Sequence, residues 1–123
     1  MLFRSGSASF HLPRAIGIKR TLEMTLLGDR YTAQQMSDMG LVNFVVADAD
    51  LDAECDKLAT RLANGPTHVY GQGKRLMYRS LENEFESQLQ LEAECFADCA
   101  KRNDYREGVA AFVEKRKPAF TGT

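Results

Sequence analysis

Three consecutive cations, Lys115, Arg116 and Lys117, form the densest group of ligand-binding side-chain types in this chain. They follow Val109, Phe112 and Val113, an apolar stripe at the spacing of one helix face. Pro118 then stops the helix. A short helix that ends in a basic cluster is suited to holding a phosphorylated ligand, because cations there meet phosphate oxygens with charge-assisted hydrogen bonds. Asp104, with Glu107 three residues on, reads as a capping box and predicts a helix start at that point. Gly108 falls in the second turn of the same helix. Glycine costs roughly 1 kcal/mol against alanine in such a place, so it predicts close packing against the backbone.

The other candidates for chemistry are weaker. Cys95 and Cys99 lie one helical turn apart and could in principle share a metal. The two histidines, His11 and His68, are not at ligand spacing from them, so two small apolar residues on a packed helix face is the better reading. Three cysteines without framework spacing fit a reduced, cytoplasmic protein better than a secreted one. Glu82, Glu84, Glu86, Glu92 and Glu94 occur between Leu81 and Phe96 with no basic residue among them. Six basic residues then face three acidic ones from Lys101 to Lys117. On charge alone these are a solvated helix face followed by a solvated tail. Sixteen Lys and Arg against seventeen Asp and Glu leave the chain nearly neutral, which argues against a general nucleic-acid binder. No apolar run approaches the ~18–20 residues that span a bilayer, and no signal peptide is visible, so no membrane partner is expected.

The elements that would position these residues are almost all helical. With 123 residues the chain has the length of one domain with a modest core. Leu12-Pro13-Arg14 opens a short helical turn, and Ile16 to Leu27 follows as an apolar-rich helix stopped by Gly28-Asp29. Thr32 and Gln35 form a capping box for a short helix ending at Gly40. Leu41 to Val46, β-branched and apolar, is the one expected strand. Asp50 caps a helix in which Leu51, Leu58, Leu62 and Ala63 repeat at helical spacing. Gly65-Pro66 ends it and starts the next, with proline at the first helical position. A long helix from about Glu82 to Lys101 carries Leu81, Phe85, Leu89, Phe96 and Cys99 on one face. Glu92 interrupts that face, so it is either partly exposed or against something polar. Several of these helices are two turns long and need a surface to rest on. The pattern is that of a helical cap without the body it covers.

Met1 to Ser5 is expected to be a non-native leader on an N-terminally truncated chain. Leu-Phe-Arg-Ser is what CTC-TTC-CGA-TCT encodes, a string found at the ends of sequencing-library adapters.

From Gly6 onward the chain resembles the C-terminal half of the crotonase superfamily, the enoyl-CoA hydratases and isomerases. Gly6-Ser7, Leu12-Pro13-Arg14 and Gly17 resemble that family's glycine-rich turn and LPRxxG helix. Leu26 to Arg30, Thr32 to Gln35 and Met39 to Val42 are similar to its LTGxxxxAxxAxxxGLV segment. Val45-Val46, Leu51, Ala63, Pro66 and Lys74 fall in register, and DYREGVAAFVEKRKPAFTG at 104–122 is the most specific piece. Pro66-Thr67-His68, the QLQLE run at 88–92 and Asp104-Tyr105-Arg106 lean toward the phenylacetate-pathway ring isomerases and hydratases.

The resemblance implies a mostly α fold: the last turn of a crotonase-like ββα spiral plus a C-terminal helical region that builds trimers. The implied boundaries are 1–5 for the leader, 6–47 for the end of the core and 48–123 for the helical region. It also implies water addition or double-bond migration on an enoyl-CoA thioester, with acyl-CoA as substrate, no separate cofactor, and a homo-oligomer (trimer or hexamer) for the intact enzyme. The family's oxyanion glycines stabilise an enolate and its glutamates move the protons. Neither group matches a position here, so no catalytic residue is nominated and these 123 residues alone are expected to be inactive. Glu82 to Glu94 match an outer helix and are not substitutes. Two ligand contacts carry over. Phe96 matches an aromatic position near the CoA adenine, and Lys115 a basic position at the CoA phosphates. Arg116 and Lys117 are expected to be solvated. The alternative is a stand-alone helical oligomerisation or interaction module without catalysis.

Overall fold

The structure is a computed structural model that describes residues 6–123. Met1–Ser5, and with it the expected leader, lies outside the described residues. The chain divides at Leu51/Asp52 into two compact units.

In the first unit, α1 (Ala8–Leu27) is broken at Gly17, whose φ of 81° and ψ of 157° are not helical. That region is essentially closed to residues with a Cβ. The expected separate turn and helix are therefore two arms of one kinked element, and the first arm begins at Ala8. The Thr21 hydroxyl donates to the Gly17 carbonyl at 2.9 Å, which satisfies one backbone group freed by the break. Gly28 closes α1 in the left-handed conformation, as expected. The capping box of α2 (Ala33–Asp38) is also present. The Thr32 hydroxyl accepts from the Gln35 N–H, and the Gln35 side chain accepts from the Thr32 N–H. Gly40, at φ 81°, ends α2 with Leu41 N–H bonded back to the Met36 carbonyl at 2.9 Å.

Residues 41–46 do not form the expected strand, and among the described residues no segment is in a β-ladder. A β-branched run has the propensity for a strand, but only a neighbour can supply the ladder hydrogen bonds. Asp50 likewise ends a 3-10 turn, Asp48–Asp50, instead of capping the next helix.

α3 (Leu51–Ala63), which lies in the second unit from Asp52 on, presents Leu58 and Leu62 to solvent, and Leu51 at its start is exposed too. α4 (Thr67–Arg79) begins one residue later than expected, with Pro66 at its N-cap. α5 (Phe85–Ala100) packs against α4 on one side and α6 (Asn103–Val113) on the other. The face of α5 that meets α4 is not the expected stripe. It is Gln88, Cys95 and Asp98, joined to α4 by polar bonds. Gln88 donates to the Leu76 carbonyl at 3.2 Å, and the Cys95 thiol to the Gln72 side chain at 3.3 Å. Phe85, Leu89 and Phe96 remain exposed, in line with the interruption at Glu92. Buried apolar side chains among the described residues are the small Cys95 and Ala111, so polar bonds define the register of α4 on α5.

Candidate functional site

The C-terminal segment 114–123 folds back onto α6, and two carboxylates of that helix hold it. Asp104, only 3 % exposed, accepts from the Thr121 N–H at 2.7 Å, the Thr121 hydroxyl at 3.3 Å and the Gly122 N–H at 2.9 Å. Its own N–H donates to the Thr123 carbonyl at 2.9 Å. Glu107 accepts from both terminal nitrogens of Arg116, at 2.5 and 2.8 Å, and from the Ala119 N–H at 2.7 Å. The capping box expected of this pair is therefore absent. Arg102 is the N-cap of α6, without a side-chain cap bond, and both acids are used on the tail. Gly108 does lie under another part of the chain, as its position predicted. A Cβ there would sit 3.6 Å from the Phe120 ring.

Arg116 is exposed, as expected, but its guanidinium is not free. Its Nε donates to Glu114 at 2.6 Å while its other end grips Glu107. The paired guanidinium and the Ala119 N–H hold the Glu107 carboxyl down to about 2. The two carboxylates raise Arg116 in turn.

Lys115 lies between these anchored residues with φ 54°, in the left-handed region. It is the first residue beyond the helix cap, where Lys115 N–H bonds to the Phe112 carbonyl at 3.3 Å and Arg116 N–H to the Ala111 carbonyl at 3.0 Å. That is the Schellman closure, for which glycine is the usual residue. A side chain in this conformation costs roughly 1–2 kcal/mol, so lysine here is a poor solution for helix termination alone. The Lys115 ammonium is exposed and has no ion pair among the described residues.

Phe96 is 60 % exposed on α5 and meets Tyr105 of α6 edge-on, with ring centroids 6.1 Å apart and planes at 90°. The two nominated residues are not in contact. Tyr105 and Lys115 are ten residues apart along α6 and its cap, which is roughly 15 Å at the helical rise. Neither residue lines the surface cleft between Arg75 and Glu94 or the one around His68 and Gln72.

A polar node at that second cleft was not anticipated. His68 Nε2 and Asp98 Oδ2 are 2.5 Å apart, Gln72 donates to the same oxygen at 3.0 Å, and Arg102 reaches Oδ1 at 3.3 Å. The hydrogen bond from His68 is the main cause that keeps the Asp98 carboxyl below its ordinary range. Residues 68 and 98 share no local pattern, so nothing in the sequence could pair them. Cys99, beside this node, has its thiol pushed up by partial burial.

The chain has relatives among known proteins. Residues 2–123 match the enoyl-CoA hydratase/isomerase family. A Rhodobacter capsulatus protein named "Probable enoyl-CoA hydratase" is 35 % identical over 121 residues, which is 98 % of this chain and 47 % of that protein. The 1,2-epoxyphenylacetyl-CoA isomerase of Escherichia coli is 38 % identical over 111 residues, or 90 % of this chain and 42 % of its own length. Among solved structures, that of enoyl-CoA hydratase subunit I from Geobacillus kaustophilus superposes with a TM-score of 0.91 at 34 % identity, covering 97 % of this chain and 46 % of that one. The chain thus spans about half the length of the relatives it matches. It belongs to the enoyl-CoA hydratase/isomerase family.

Proposed function

We propose that these 123 residues supply the C-terminal, ligand-contacting half of an enzyme that adds water to, or moves a double bond within, an enoyl-CoA thioester. In this reading residues 6–47 close the catalytic core and residues 48–123 form the helical region through which copies associate as a trimer or hexamer. The break between compact units near Leu51 supports such a division. Acyl-CoA is the substrate, and no separate cofactor is invoked. The three cysteines are free, which suits a reduced, cytoplasmic setting. The similarity to an epoxyphenylacetyl-CoA isomerase supports an aryl-acetyl thioester as one candidate substrate.

Lys115 meets the phosphates of CoA and Phe96 the adenine. The single observation that carries this is Lys115 itself, a lysine in a left-handed helix cap with its charge uncommitted. A lysine ammonium is a compact point charge that follows a phosphate without demanding one geometry. Phe96 offers an exposed ring held edge-on by Tyr105, a flat surface for a base.

The test is thermal unfolding of the chain with and without coenzyme A. Saturating CoA at 100 times its Kd stabilises a native state that binds it by about 2.7 kcal/mol. The midpoint is expected to rise for the parent sequence and to rise much less for Lys115→Ala. An unchanged midpoint for the parent sequence would instead favour a helical module without catalysis. Crotonyl-CoA hydration by these residues alone is expected to be absent, because the family's oxyanion and acid/base groups match no position among them. Measurable turnover would overturn that.

A further inference from the structure

We propose that the Glu107–Arg116 ion pair is a positioning device for Lys115, fixing the left-handed turn from which the ammonium reaches a ligand phosphate. This rests on the reading of Lys115 given above and extends it to residues that do not themselves touch the ligand.

The geometry around the turn is one-sided in a telling way. The Glu114 and Arg116 side chains flanking Lys115 are tied down, while the Lys115 side chain is not. On its N-terminal side Glu114 takes the Arg116 Nε–H at 2.6 Å. On its C-terminal side Arg116 Nη1 also donates to the Lys117 carbonyl at 3.3 Å, and the Ala119 N–H donates to Glu107 at 2.7 Å. Glu107 and Arg116 join these two sides through a bidentate contact at 2.5 and 2.8 Å. A guanidinium is the one side chain whose fixed fork can hold a carboxylate bidentately and still bind Glu114 and a carbonyl. A strained φ persists only where the surroundings over-determine it, and here the ion pair adds to the two backbone bonds of the Schellman closure. If the clasp served helix termination alone, glycine at 115 would do it better. The lysine is explained when the turn exists to present a charge.

The experiment is calorimetric titration of coenzyme A into the 123-residue chain at neutral pH. The variants are Lys115→Ala, Glu107→Gln, their double and Arg116→Lys, each with the HN–Hα coupling of residue 115 recorded by NMR. Arg116→Lys keeps the charge and removes the fork, so it reports even if Glu107→Gln fails to fold. Lys115→Ala should weaken binding on the order of tenfold, the scale of one charge-assisted hydrogen bond. Glu107→Gln and Arg116→Lys should each give a comparable loss and shift the residue-115 coupling away from its left-handed value. The double variant should bind no more weakly than Lys115→Ala, since the two residues act on one contact. Parent-like affinity in Glu107→Gln and Arg116→Lys, with Lys115→Ala impaired, overturns the positioning role and leaves the phosphate contact standing. Losses that multiply in the double variant, or an unchanged coupling, overturn it as well. Parent-like affinity in Lys115→Ala, or no binding by the parent chain, removes the underlying reading and the proposal together.

Discussion

Asp104 and Glu107 show how the same two carboxylates, three residues apart, can satisfy either of two sets of donors. At a helix start they can cap the free N–H groups of the first turn, or they can reach out to a returning segment. Here the segment wins, because it offers more donors, and both backbone N–H groups and a guanidinium are brought to them. The choice has a pH signature. Glu107 has its folded value lowered to about 2 from an ordinary 4.5, so its stabilising contribution is complete above about pH 4.5 and is lost as pH falls toward 2. The unfolding midpoint of Glu107→Gln should therefore lie below that of the parent chain at neutral pH, and the gap should close on acidification. A gap that stays constant from pH 6 to pH 2.5 would show that the carboxylate's ionisation is irrelevant to the clasp.

At the scale of elements, α1 and α5 depend on two different kinds of information. Gly17 breaks α1 for a backbone reason: its φ and ψ belong to a region that a Cβ forbids. Gly17→Ala should cost about 1–3 kcal/mol in chemical denaturation, or straighten the helix if the arms can realign. A variant as stable as its parent with an unchanged backbone coupling at position 17 would contradict this conformation. The orientation of α5 follows instead from long-range polar partners. Its apolar residues Phe85, Leu89 and Phe96 repeat regularly enough to suggest a buried stripe. The face that meets α4 is the one where Gln88, Cys95 and Asp98 find Leu76, Gln72 and His68. Periodicity identified the helix; it did not identify what the helix faces.

At the scale of the molecule, the distribution of apolar surface is the main feature. Phe112 is 85 % exposed and Val113 73 %, at the end of the helix that presents Lys115. Burying a side chain of that kind is worth roughly 1.5–3 kcal/mol, so the unit gains stability from any surface that covers this end. Self-association of the chain is the expected consequence, seen as a sedimentation coefficient that rises with concentration and falls back for Phe112→Glu. A strictly monomeric parent chain over the same range would count against oligomerisation through these helices.

What could be learned from the chain alone was whatever is written within a few residues. The Thr32/Gln35 capping box, the glycine stops at Gly28 and Gly40, and the existence of the later helices all rest on local dihedral preference and hydrogen bonds spanning three or four positions. The family was legible for a related reason, since its motifs are ordered strings such as 104–122. Tertiary structure alone decided where Asp104, Glu107, Arg116, His68 and Asp98 direct their charges, and that residues 41–46 stay irregular. Arg116 is nine residues from Glu107, and Asp98 thirty from His68. No pattern of neighbours encodes such pairs, because they exist only once the chain has turned back on itself and brought the two side chains within hydrogen-bond reach.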